Sequence, residues 1–345
     1  MSFNINHYRR NIMRGISSGI GKKDKVNKER ITKVKRVLII RPNHRLGNQL
    51  LITPLIQEII ATYPDCTIDL FTKGGLAPFL FGKYSNIRNY FLLPKKHFKQ
   101  LHKYIATWIK MACHRYDLII NAGPSSSSGS FALKLVSAPN KLNLKEAISA
   151  TSHEDYIHMA KQGIYHLREA LKGTSLDRSG KPFPTLNIQL TEEELVEGKH
   201  VLDSLVSPEK PTIMLYTYAT GSKCFSTDWW IPYYENLQQR YPDYNILEIL
   251  PAENVSMIEF KAPSYLSMNL RTLTAVMAHG AILIGTDSGM MHMGVCSQIP
   301  IVGLFNVTNP IIYGPYGNGS LSINIHDEHA AEELDEAVSR ILQKK

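Results

Sequence analysis

From about residue 36 onward, short runs of consecutive apolar residues alternate with longer stretches in which apolar positions recur every three or four. The runs VLII (37–40), TIDLF (67–71), YFLL (90–93) and DLII (117–120) have the length of strands buried on both faces. Between them, 49–62 and 96–114 carry the helical period. The turn-rich string GTSLDRSGKPFP (173–184) reads as a linker, and the alternation then restarts. Thr191 with Glu194 three residues on has capping-box spacing and opens a helix. Strands TIMLY (212–216), NILEIL (245–250), AILIG (281–285) and IPIVGLF (299–305) follow, with a helix over 229–241 and an amphipathic one over 328–342. Such alternation predicts an α/β protein of two open parallel-sheet domains, joined by a short linker that leaves a cleft between them. The expected organisation is a basic segment 1–36, a domain 37–172, a linker 173–185, a domain 186–325 and a terminal helix 326–345.

Length agrees, since 345 residues suit two domains of roughly 150 residues each. No apolar run reaches the roughly 20 residues that span a bilayer; the most apolar stretch is broken by His279, Asp287 and His292. The start of the chain lacks the apolar core and cleavage site of a signal peptide. Cys66, Cys113, Cys224 and Cys296 form no C-x-x-C pair, which predicts unpaired thiols, no zinc site and a reducing cytoplasm.

The net charge of +9 is concentrated. Residues 1–36 hold eleven Lys/Arg against two Asp/Glu, and the remainder is balanced. Ile5, Tyr8, Ile12, Ile16 and Ile20 make an apolar stripe if this segment is helical, which suits the surface of an anionic membrane. Gly15, Gly19 and Gly21 favour a solvated tail instead. GISSGIGKK is not a phosphate loop, because its glycine spacing is wrong and no strand precedes it. Nucleic acid is not expected as a partner, since the excess charge sits in one tail without interleaved aromatics.

Chemistry collects where strands end. TDSGMMH (286–292) follows AILIG; the first amides of a helix lack partners and carry partial positive charge, a setting for phosphate. Gly289 admits a ligand to the backbone, Ser288 offers a hydroxyl and Asp287 accepts from sugar hydroxyls. The plainer reading is an N-cap with His292 satisfied inside the protein. RPNHRLGNQLLITPL (41–55) makes a second polar elbow after VLII, with Gly47 turning the chain and Asn48 capping a helix. Lys223 follows TIMLY and Glu253 follows NILEIL. GPSSSSGS (123–130) reads as a flexible connection rather than a mobile acceptor loop.

Together these pieces resemble glycosyltransferase family 9, the ADP-heptose:lipopolysaccharide heptosyltransferases, over residues 36–317. The family's D-[ST]-G-x-x-H string is matched by Asp287-Ser288-Gly289-Met290-Met291-His292, and its T-x-P loop by the stretch containing Thr308. Its lysine before an aromatic-rich helix resembles Lys223, and its carboxylate after the next strand resembles Glu253. The resemblance implies the GT-B architecture, two Rossmann-like doubly wound domains facing across a cleft, and a metal-independent inverting transferase without a resident cofactor. A nucleotide-diphosphate sugar, ADP-heptose above all, would be the donor. Lys223, Ser288 and Gly289 would hold its diphosphate, with Glu253, Asp287, His292 and Thr308 around the rest of it. The N-terminal half would take a lipid-linked saccharide acceptor, with Arg45, Gly47 and His153 on that side.

One departure matters. The family's first elbow reads G-D, and its aspartate is the general base; here it reads Gly47-Asn48. An amide orients a hydroxyl but cannot take its proton. His44 on the same elbow, with an ordinary pKa near 6.5, is the substitute in position. The His153-Glu154-Asp155 cluster is another, and a nucleotide-sugar-binding protein with weakened or lost chemistry a third.

Overall fold

The computed structural model describes residues 26–96 and 100–343. It divides into two compact units, Met1–His44 with Pro54–Pro184, and Arg45–Thr53 with Thr185–Lys345. The elbow segment 45–53, read from the sequence as part of the N-terminal domain, therefore groups with the C-terminal unit.

The first unit contains a five-stranded parallel sheet in the order β3-β2-β1-β4-β5. Its strands are β1 (Arg36–Arg41), β2 (Thr67–Lys73), β3 (Ile87–Leu93), β4 (Leu118–Asn121) and β5 (Asn140–Asn143). Residues 37–40 and 118–120 are wholly buried, as continuous apolar runs in a sheet covered on both faces must be. β5, with the polar sequence NKLN, carried no strand signal and is held by pairing to β4. The helix expected over 49–62 is two helices, Leu46–Leu50 and Thr53–Thr62. Pro54 supplies no amide to a continuous ladder but is tolerated in the first turn of the second helix. GPSSSSGS is ordered: Ser126 caps the Ser127–Leu135 helix by accepting a hydrogen bond from the Gly129 amide at 3.2 Å.

Two expected boundaries move. The stripe Ile5 to Ile20 lies outside the described residues. The end of the basic segment, however, belongs to the body of the first unit. Ile31 is fully buried, its carbonyl accepts from the Tyr63 hydroxyl at 2.7 Å, and Lys28 donates to the carbonyls of Ala170 and Lys172. The turn-rich string 173–184 is likewise fastened to this unit. Arg168 donates to the carbonyls of Lys181 at 2.6 Å and Pro182 at 3.1 Å, while its guanidinium lies 4.5 Å from the Phe183 ring centre.

The second unit contains a six-stranded parallel sheet in the order β11-β10-β9-β6-β7-β8. These strands are β6 (Thr212–Tyr216), β7 (Asn245–Ile249), β8 (Ser264–Tyr265), β9 (Ile282–Thr286), β10 (Ile301–Phe305) and β11 (Leu321–Asn324). Counted within the unit, the order is that of the dinucleotide-binding fold, and it reverses between β6 and β9. The capping box at Thr191 and Glu194 is formed in both directions. The terminal amphipathic helix, Ala330–Leu342, buries Leu334, Val338 and Ile341 against the sheet.

Candidate functional site

Where strand order reverses, the loops leaving neighbouring strands diverge and leave a crevice at their carboxyl ends. In the second unit the loops after β6 and β9 bound a cavity of about 690 Å³, within the size range of small-molecule sites. Among the residues lining it are Lys223, Glu253, Asp287, Ser288, Gly289, His292 and Thr308, together with Arg45, Gly47 and Asn48.

The floor is the start of the Gly289–Cys296 helix, whose residues 290–296 are all buried. Ser288 is its N-cap, in extended conformation, and its side chain accepts from the Met291 amide at 3.2 Å. A helix start so placed aims its remaining first-turn amides and the positive end of its dipole at the cavity. Opposite it lies the short Leu46–Leu50 helix of the elbow. The two approach because both bear glycine. A Cβ on Gly47 would fall 2.7 Å from His292 Cδ2, and one on Gly289 would fall 3.0 Å from Leu46 Cβ. Thus Gly47 makes room for the edge of the His292 ring, which is itself buried.

Lys223 Nζ lies 2.5 Å from Asp287 Oδ2, and the Thr308 hydroxyl donates to the same oxygen. The carboxylate is nearly sealed from water (6% exposed), whereas the lysine is one-third exposed. An ammonium has three donors, so Lys223 can keep Asp287 and still reach an anion in the cavity. The loop that carries it is secured further by Asn306, which donates to the Ser222 carbonyl at 2.9 Å, and by Thr286, which donates to that of Tyr218 at 3.1 Å. Burial, with the charge of Glu253 adding to it, pushes the Tyr216 phenol above its ordinary value.

Glu248 in β7 had no part in the sequence reading and supports two of these loops. It is fully buried and accepts from Thr217 and Ser256, each at 2.6 Å. The Thr217 hydroxyl in turn accepts from the Met257 amide. Burial raises the carboxyl's pKa, while the hydrogen bonds from Ser256 and Thr217 oppose the rise. A carboxylate in the middle of the apolar string NILEIL was the visible signal. Tyr216, Tyr218, Met290 and Tyr313 also line the cavity without having been singled out; the first two flank the end of β6, Met290 is inside a buried helix and Tyr313 ends the short Pro310–Tyr313 helix.

His44 and His153 belong to the first unit. The His153 ring stacks on Tyr165 with centroids 5.3 Å apart. Its neighbour Asp155 receives the Lys161 ammonium at 2.7 Å and the Tyr165 hydroxyl. Burial works against ionisation of Asp155, but those bonds hold its carboxyl below the usual range, which makes it a weak base.

Comparison with known proteins gives this geometry a context. The sequence model of glycosyltransferase family 9 (heptosyltransferase) matches residues 265–340, the segment holding Asp287 to His292 and Thr308. The chain is 21% identical over 287 residues to lipopolysaccharide heptosyltransferase 3 of Escherichia coli K12, covering 78% of this chain and 82% of that one. It superposes on a family 9 glycosyltransferase of Veillonella parvula with a TM-score of 0.71 at 19% identity, over 90% of this chain and 98% of the other. For the E. coli heptosyltransferase WaaC with ADP, the TM-score is 0.65 at 15% identity, over 89% and 99% of the two chains. Both units are thus the parallel α/β folds of a GT-B glycosyltransferase, and the chain is a glycosyltransferase. The Asp287-Ser288-Gly289-x-x-His292 string lies inside the segment that the family 9 model matches. Lys223, Glu253 and Asn48 lie outside the matched segment, so their roles rest on their placement in the cavity.

Proposed function

We propose that the chain moves a sugar, with inversion and without a metal ion, from a nucleotide-diphosphate donor to a lipid-linked saccharide of the cell envelope. The observation that carries this reading is the convergence of Lys223 and the start of the Gly289–Cys296 helix on one cavity. The diphosphate gains charge as the glycosidic bond breaks, and a fixed ammonium with fixed amides neutralises it where it develops. Glu253 and Asp287, which line the same cavity, would accept from donor hydroxyls. Heptose from ADP-heptose is the favoured donor because two of the relatives named above are heptosyltransferases, one of them in a structure with ADP. Lipopolysaccharide is the favoured acceptor for the same reason. The basic segment 1–36 would bring the enzyme to an anionic membrane face. Among the described residues no helix is long and apolar enough to cross a membrane.

A stability screen against ADP-, GDP-, UDP- and CMP-sugars tests the donor. A ligand present at roughly a hundred times its Kd stabilises the folded state by about 2.7 kcal/mol, and ADP-heptose is expected to give the largest shift. A larger shift from any other nucleotide sugar reassigns the donor; no shift from any of them removes the reading.

Asn48 lines the cavity and, in this proposal, orients the acceptor hydroxyl, while His44 takes its proton. His44→Ala should then lower kcat by about 10²- to 10⁴-fold, and Asn48→Ala should act mainly on acceptor KM. Near-wild-type turnover in His44→Ala would eliminate this base. If Asn48→Asp instead raised turnover, the chain would be a transferase with weakened chemistry, which is the second reading that Asn48 supports.

A further inference from the structure

The balanced charge of the chain beyond residue 36 conceals a segregation. Residues 70–116 contain nine Lys/Arg and no Asp or Glu. Near the end of this stretch lies the Leu101–Ala112 helix of the first unit. Its inner face is fully used: Trp108 and Met111 are buried, and the Trp108 ring lies 4.9 Å from Phe71 and 5.0 Å from Phe131. Yet the helix carries a second apolar stripe that the core does not need. Leu101, Ile105 and Ile109, spaced four apart, are 55%, 49% and 58% exposed. Further round the same helix Lys103 and Lys110 are exposed as well, as are Lys95 and Lys96 before it and Arg115 after it.

A surface helix normally shows water its polar side only. Here the exposed side of the helix combines a row of large aliphatic side chains with two lysines, and the segments before and after it add only basic charges. That is the composition of an element lying in the interface plane of a bilayer, the aliphatics among the acyl chains and the ammonium groups at anionic headgroups. A protein partner would also bury the stripe, but the absence of any carboxylate over 47 residues favours a partner that is uniformly anionic. We propose that the Leu101–Ala112 helix docks the first unit on an anionic lipid surface through Leu101, Ile105 and Ile109. This surface is separate from the basic segment at the start of the chain. It also stands apart from the sugar-transfer reading, because its test needs neither donor nor acceptor.

The test is co-sedimentation of the full-length chain with vesicles of phosphatidylcholine and phosphatidylglycerol, against vesicles of phosphatidylcholine alone. The wild-type chain should bind the anionic vesicles preferentially and release them as salt rises. Ile105→Ser/Ile109→Ser should weaken binding at least about tenfold, because the apolar insertion is lost. Lys103→Glu/Lys110→Glu should weaken it comparably and flatten the salt dependence. Both variants change exposed positions and should melt with the wild type. Three results would each overturn the proposal: no binding by the wild-type chain, wild-type affinity in the isoleucine variant, or a vesicle-indifferent chain that dimerises through this stripe by sedimentation velocity.

Discussion

Lys223→Ala is expected to lower kcat by about 10²- to 10³-fold, the usual consequence of removing one fixed donor from a site of developing negative charge. The reason lies in how the lysine is held. It sits 2.5 Å from a carboxylate that is itself nearly sealed from water and that Thr308 also engages, so the ammonium is already placed before a donor arrives. Such placement removes the reorganisation that a free surface lysine would need. Donor KM should change less than kcat, because the ground-state diphosphate carries less charge on the bridging oxygen than the departing one. Lys223→Arg should recover part of the loss if its fork can still span Asp287 and the phosphate. Steady-state kinetics with saturating acceptor gives the split. Unchanged kcat in Lys223→Ala would mean that leaving-group charge is neutralised elsewhere, and the mechanism proposed for this cavity would be wrong.

The second large effect concerns stability. Glu58 is fully buried in the first unit and faces two guanidiniums, Arg168 at 2.8 Å and Arg178 at 3.2 Å. Glu58→Ala would leave Arg168, only 7% exposed, as a buried cation facing carbonyls and a ring but no counter-charge. Breaking a buried pair in this way costs about 3–5 kcal/mol, since the survivor keeps its desolvation penalty without its attraction. For a unit of this size that corresponds to roughly 10 °C in the melting temperature of the first unit. The segment 173–184 should become more accessible to protease, because Arg168 also holds the carbonyls of Lys181 and Pro182. Glu58→Met, matching the volume and removing the charge, should cost nearly as much, whereas Glu58→Met with Arg168→Met should recover much of the loss. A Glu58→Ala melting temperature close to wild type would show that Arg168 is solvated after all.

Much of this protein was legible in one dimension. The runs at 37–40, 67–71, 117–120, 212–216 and 281–285 became central or near-central strands. A strand buried on both faces must be written in consecutive apolar residues, whatever its neighbours are. The residues at the ends of those strands were legible too, because polar, glycine-bearing strings after a buried run have few structural reasons to be there. Lys223, Glu253 and the Asp287 to His292 string were all found in this way, and all but Met291 line the cavity. Local capping was equally visible at Thr191 and Glu194, which interact across a single turn.

What required the folded chain was everything set by long-range partners. β5 is polar and is a strand only because β4 offers it an edge. Four serines looked like a flexible connection, but one of them caps a helix whose Gly129 packs against Asn121. The grouping of residues 45–53 with the second unit could not be read from order along the chain, because it depends on Gly47 meeting His292, 245 positions later in the sequence. The pairing of Lys223 with Asp287 and the twin support of Glu248 are of the same kind. Periodicity records which side of an element is buried, and that much the amino-acid order decides alone. Which buried side meets which is decided by packing between distant segments, and it was this packing that brought two glycine-bearing helix starts to one cavity.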